Sequence, residues 1–314
     1  MNKKIATREA YGKALVKLST LNNNVVVLDA DLSKSTKTAD FKAVAPERFI
    51  NMGIAESNMM GVAAGLSTCG KIPFVSSFAI FAAGRAYEQI RNSICYPNLN
   101  VKVCATHAGL TVGEDGATHQ AIEDISLMRS IPNMTVINPC DAVETEAAIL
   151  AIAEYKGPCY VRLGRLAVNT INDEKTYKFE IGKGVTLAQG NDATIIATGM
   201  MVESALEAKE ILKKDGIEAR VINIHTIKPI DKQLIIDAAK ETKAIVTVEE
   251  HSVIGGLGSA VSEVVCEECP VPVVKVGIKD TFGESGNPYE LLKKYGLTSE
   301  AICESVKKAI GLKK

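Results

Sequence analysis

The sequence predicts an α/β fold built as two parallel-type sandwich domains, and three observations point there. Short apolar, β-branched runs alternate with helical patterns from end to end. Polar residues stand directly after several of those runs, where the carboxyl ends of parallel strands open onto a crevice. A turn-rich polar stretch divides the 314 residues near their middle. Strand–helix alternation is the pattern of parallel strands joined by crossover helices. A chain of this length also exceeds one ordinary domain of roughly 150 residues.

In the first half, strands are expected at 25–28, 72–76, 101–105, 134–137 and 159–163. Helices fill the gaps at 10–21, 56–68, 82–94, 122–129 and 143–155. The pattern then lapses into NTINDEKTYKFEIGKG, polar and rich in turn formers, which reads as an interdomain linker. The domains are therefore placed at 1–170 and 188–314, with 171–187 between them. The second half restarts with ATIIATG at 193–199, followed by a helix through Lys214 and strands at 219–224, 244–248 and 273–276.

Composition narrows the function. With 36 basic and 37 acidic residues the net charge is -1, and no block of like charge suggests a nucleic-acid or membrane surface. The start MNKKIATREAYG lacks the apolar core of a secretory signal, and no apolar run approaches the roughly 18 residues of a membrane span. A cytoplasmic protein with small soluble partners is expected. A chain of this size with eight cysteines does not resemble a small secreted disulfide scaffold, several of them fall in apolar strand-like runs, and they are read as reduced core thiols. Cys266 and Cys269 form a C-x-x-C with no second pair at zinc-ligand spacing.

Four sets of residues, all polar but Phe78, follow strands in the first half: Asp29 and Asp31; Ser76, Ser77 and Phe78; Thr106 and His107; Arg162 and Arg165. One such set is usually a cap or a turn; four in one half-chain favour a crevice. The glycine-punctuated loop HAGLTVGEDGATHQA carries Glu114, Asp115, His119 and Gln120, and long loops in compact domains lean functional. Its spacing is neither a dinucleotide fingerprint nor a P-loop. Glu56 heads a helix of small and apolar residues. It either complements the helix dipole or is a poorly solvated carboxyl able to share a proton with a nitrogen base. Phe78 and Phe81 could be ordinary core, and Arg8 an ordinary surface residue at a helix start. Glu249, Glu250 and His251, before GGLG, are assigned no chemistry, because a glycine-rich strand-to-helix turn explains them.

GIAES, SSFAIFAAGRAYEQIR, THAGLTVGEDGATHQAIED and RSIPNMTVINPCD, in this order and spacing, resemble the pyrimidine-binding domain of transketolases. ATREAYGKALVKL and VVVLDADLSKST fit its start, and VEEHSVIGGLGSAV with KDTFGESG resembles the family's C-terminal domain. The diphosphate-binding domain that precedes these two in full-length enzymes has no counterpart here. The resemblance thus implies the second subunit of a split transketolase, using thiamine diphosphate and Mg²⁺ with the metal ligands on a partner chain. It implies an α₂β₂ assembly with that N-terminal subunit, self-association of the lone chain, and sugar phosphate substrates.

By the same resemblance, Glu56 is the glutamate that hydrogen-bonds the cofactor's aminopyrimidine, and Phe78 and Phe81 wall that ring. Asp31 lies near cofactor and donor sugar. His119, a catalytic residue, and Asp115 bind the donor's reacting hydroxyls, and His107 lies near the phosphate end. Arg8, Ser35 and Arg165 complete a phosphate grip. Ser57 stands where many long enzymes carry His, and Gly84 where some carry an aromatic. Deoxyxylulose-phosphate synthase, the beta subunit of 2-oxo-acid dehydrogenases and a non-catalytic homologue share the architecture. The GEDGATHQAIED wording and the His/Asp pair with its arginines favour transketolase.

Overall fold

The computed structural model describes residues 4–313. Its strands, in chain order, are β1 (Lys4–Ala6), β2 (Val25–Asp29), β3 (Phe49–Asn51), β4 (Ile72–Ser76), β5 (Lys102–Ala105), β6 (Thr135–Ile137), β7 (Cys159–Arg162), β8 (Ala167–Asn169), β9 (Val185–Ala188), β10 (Ala193–Ala197), β11 (Ala219–Asn223), β12 (Thr226–Lys228), β13 (Ile245–Ser252) and β14 (Val273–Ile278). They form a seven-stranded sheet ordered β12-β6-β7-β5-β4-β2-β3, a five-stranded sheet ordered β14-β13-β10-β11-β9, and a two-stranded ribbon of β1 with β8.

β2, β5 and β7 are buried at every position. That is why they read as unbroken apolar runs rather than alternations: helices cover a parallel sheet on both faces. Thr7–Leu21 and Ala142–Glu154 cover one face of the first sheet, enclosing Tyr11, Leu15, Phe41, Phe74, Ile149 and Ile152. The other face is continuous with the second domain, since Met59, Met60, Ile90 and Ile125 share one apolar cluster with Ile222, Ile235, Leu257 and Val261.

The two sheets are mixed rather than purely parallel. β12, from the second half of the chain, pairs antiparallel with β6, so the first sheet ends in a strand the second half supplies. β9 pairs antiparallel with β11, so the second sheet already begins inside the stretch read as a linker. That stretch is fastened down. Asp141 accepts the N–H groups of Ile171 at 2.8 Å and Asn172 at 2.7 Å, and Tyr177 donates its hydroxyl to Glu144. The α-helix expected at 82–94 is instead two π-helical turns, Ile80–Arg85 and Ile90–Cys95, around Tyr87–Gln89. Turns of this kind concentrate at functional sites. Among the described residues no helix is long and apolar enough to cross a membrane.

Candidate active site

The chemistry gathers at the carboxyl ends of β2, β4 and β5. Glu56 heads the helix Glu56–Thr68 and is only 1% exposed. Its two oxygens have different partners: Oε1 accepts the Ser77 hydroxyl at 3.0 Å, and Oε2 accepts Arg85 Nη1 at 2.7 Å. Arg85, half exposed, lies over the Phe81 ring at 4.6 Å from its centroid. Sequence alone assigns Arg85 no role. The available signal was its position four residues beyond Phe81, which puts the two on one helical face.

Phe78 and Phe81 stack with centroids 6.1 Å apart and planes at 13°. Phe78 is buried and Phe81 half-buried. Phe78 stacks on His107 at 3.9 Å, while the His119 ring stands edge-on to Phe81 at 5.3 Å. Four rings thus line one wall. His107 adopts a left-handed φ of 57°, held by Thr106 Oγ1 at 2.9 Å from Nδ1 and by Arg8 Nη1 at 3.3 Å from Nε2. Burial, then the charges of Arg8, Arg165 and His119, lowers its pKa to about 3, so the ring is neutral at physiological pH. His119, partly exposed, hydrogen-bonds Thr118 Oγ1 through Nδ1 at 2.9 Å.

Arg8 also donates to the Ser35 carbonyl at 2.9 Å, so Ser35 enters through its backbone rather than its hydroxyl. The Arg8 Nε is buried without a hydrogen-bond partner, a donor that an anion would satisfy. Burial, and Arg165 after it, lowers the Arg8 pKa, with Glu9 opposing. Arg165 donates to the Val112 carbonyl and to Glu114 at 3.1 Å. Glu114 is 64% exposed, so this ion pair is a surface pair of little strength.

Asp31, with φ 66° and exposed, receives Asn51 Nδ2 at 2.8 Å. The neighbouring Asp29 is a different case: fully buried, it accepts Leu32 N–H at 2.6 Å, Thr36 Oγ1 at 2.6 Å and Thr38 Oγ1 at 2.8 Å. Burial raises its pKa against those bonds. It fastens the segment that carries Asp31 and Ser35. Asp115 lies exposed in the loop, four residues before His119.

The transketolase pyrimidine-binding domain family matches residues 3–170, and the transketolase C-terminal domain family matches residues 182–302. A putative transketolase C-terminal section from Methanocaldococcus jannaschii is 54% identical over 95% of this chain and 94% of its own length. A 6-deoxy-6-sulfo-D-fructose transketolase subunit from Clostridium sp. is 44% identical over 94% of this chain and 91% of its own. Among solved structures, a split gene transketolase described as an inactive beta4 tetramer superposes with a TM-score of 0.93 at 60% identity, covering 99% of this chain and all of the other.

Proposed function

The chain belongs to the transketolase family, and from that premise we propose that it is the pyrimidine-binding half of a two-chain enzyme that moves a two-carbon ketol unit from a ketose phosphate to an aldose phosphate. The observation that carries this reading is the convergence of Arg8, His107, Arg165 and His119 beside the stacked Phe78 and Phe81, with the Glu56 carboxylate behind them. A buried acid next to flat aromatic faces suits an aminopyrimidine, and an orphaned guanidinium N–H suits a phosphate. Thiamine diphosphate, when bound, supplies the nucleophilic carbon and the electron sink.

This chain's residues supply position and proton placement. Glu56 would hold a ring nitrogen in its protonated form, and Phe78 and Phe81 would flank the ring. Asp31 would approach the cofactor and the donor. Asp115 and His119 would bind the donor hydroxyls, with His119 taking and returning a hydroxyl proton. Arg8 and Arg165 would grip the phosphate, Arg165 by exchanging its exposed Glu114 for a stronger, bidentate anion. The neutral His107 would offer a hydrogen bond without adding charge. The sulfofructose relative supports a sugar phosphate or a like anionic sugar as substrate class rather than one sugar pair.

The Mg²⁺ and diphosphate ligands would come from an N-terminal partner subunit in an α₂β₂ complex, because this chain spans nearly the whole of a C-terminal section. Its free thiols fit a reducing, cytoplasmic setting. Calorimetry and a coupled assay test the proposal. The isolated chain should bind thiamine diphosphate weakly and show no ketol transfer until the diphosphate-domain chain is added. Micromolar, magnesium-dependent binding or turnover by this chain alone would overturn it.

A further inference from the structure

Glu250, which the sequence reading assigned to a turn, does not cap its own turn. It lies on β13 of the second domain, 4% exposed, and reaches across to the first. There its Oε1 accepts the Thr111 N–H at 2.7 Å. The loop backbone comes so close that a Cβ on Gly109, whose φ is +83°, would stand 2.3 Å from Glu250 Cδ. The far end of the loop is tied to the same residue. Arg162 Nη2 donates to the Ala121 carbonyl at 3.1 Å and to the Glu250 carbonyl at 2.9 Å, while its Nε holds Asp124 at 2.9 Å.

Other second-domain groups fasten the loop at Glu114 and Gln120. Gln120 Nε2 donates to the Glu284 carbonyl at 2.9 Å, and Ser285 Oγ donates to the Glu114 carbonyl at 2.5 Å. Asp115 and His119 lie between these fixed points. Burial is the main influence raising the Glu250 carboxyl's pKa, opposed by Arg162 and the Thr111 bonds. A buried acceptor of this kind tolerates loop displacement poorly, since displacement leaves it unpaired.

We propose that Glu250 is a positioning residue for donor recognition: a second-domain carboxylate that fixes the loop 107–121 and, through it, sets Asp115 and His119 to receive the sugar hydroxyls. The second domain then takes part in substrate choice without touching substrate. This inference rests on the transketolase reading above, and its test separates the two.

In the complex reconstituted with the diphosphate-domain chain, Glu250→Ala should raise KM for a ketose phosphate donor about tenfold or more, with thiamine diphosphate affinity within about threefold of wild type. Glu250→Gln keeps an acceptor oxygen for Thr111 and should recover most of the loss. Glu250→Asp keeps the charge but withdraws it, and should show the donor-selective defect even if the alanine variant does not fold. Hydrogen exchange on the chain itself should show the amides of 109–116 opening about tenfold faster in the alanine or aspartate variant. Unchanged exchange, a glutamine variant as impaired as alanine, or donor KM and cofactor affinity worsening in parallel would each overturn the proposal. A wild-type complex that transfers no ketol unit would sink the functional reading and the donor role together, while the exchange measurement would still decide the anchoring.

Discussion

At the carboxyl ends of the parallel strands in both sheets stand buried acids of similar appearance, and their partners tell them apart. On the second sheet, Glu249 accepts the backbone N–H groups of Leu257 at 2.7 Å and Gly258 at 2.8 Å, closing the start of the helix Leu257–Glu268. On the first, Glu56 accepts side-chain donors, the Ser77 hydroxyl and the guanidinium of the half-exposed Arg85. A backbone amide cannot leave its acceptor without unfolding its element, whereas a guanidinium on a flexible stem can swing away for a ligand. Glu249 is thus bound as scaffold, whereas Glu56 keeps partners that a ligand could replace, as the proposed site requires. Asp29, filled by Leu32 N–H and two threonine hydroxyls, shows that the first sheet keeps a scaffold acid of its own beside Asp31.

The most severe way to break this comparison is to exchange the two outcomes. Glu56→Gln preserves volume but cannot stabilise a protonated ring nitrogen, so kcat in the reconstituted complex should fall by at least about a hundredfold with the melting temperature unchanged. Glu249→Ala should do the reverse, costing about 1–3 kcal/mol of stability by stranding buried amides, with activity per folded molecule retained. A Glu56→Gln enzyme within about threefold of wild type would remove the distinction.

A smaller effect separates the two arginines. Arg8→Ala and Arg165→Ala should each raise KM for a phosphorylated donor about tenfold more than for hydroxypyruvate, which carries no phosphate to reach them. Arg8 should show the larger change, because its buried Nε is unpartnered while Arg165 is already paired with Glu114. Equal effects on both donor classes would make both residues structural.

The sequence made the central strands plain because burial on both faces writes itself as a continuous apolar run. β4 is found at the expected residues and β2 is one residue longer. Three-residue strands such as β1, β3 and β12 carry no period to read, and the pairing of β12 with β6 spans some ninety positions that no local pattern encodes. Phe78 and Phe81 are expected to form an aromatic wall by resemblance, and the fold adds the rings of His107 and His119 to it. What stayed hidden was the use of each polar group. Glu249 and Glu250 are adjacent and alike in sequence, yet one holds its own helix and the other a loop of the other domain.

The finest contrast lies between two buried histidines. Both His107 and His225 have lowered pKa values, chiefly through burial, but Arg8 and Arg165 push His107 further down whereas Glu144 and Asp231 pull His225 back up. For His107 the sign follows directly. The unfolded ring takes up a proton near its ordinary pKa of about 6.5, and the folded ring resists until about 3, so the stability present above 6.5 is lost progressively as pH falls through that window. Linkage puts the loss at about 2 kcal/mol between neutral pH and about pH 5. Thermal unfolding followed from pH 7.5 down to about pH 5 should therefore show the wild type losing stability more steeply than His107→Gln, which cannot take up that proton in either state. The corresponding difference for His225→Gln should be smaller, because carboxylates rather than guanidiniums face that ring. Parallel profiles for wild type and His107→Gln would mean that the ring already titrates normally in the folded chain and that the cationic cluster around it is looser than the 3.3 Å Arg8 contact describes.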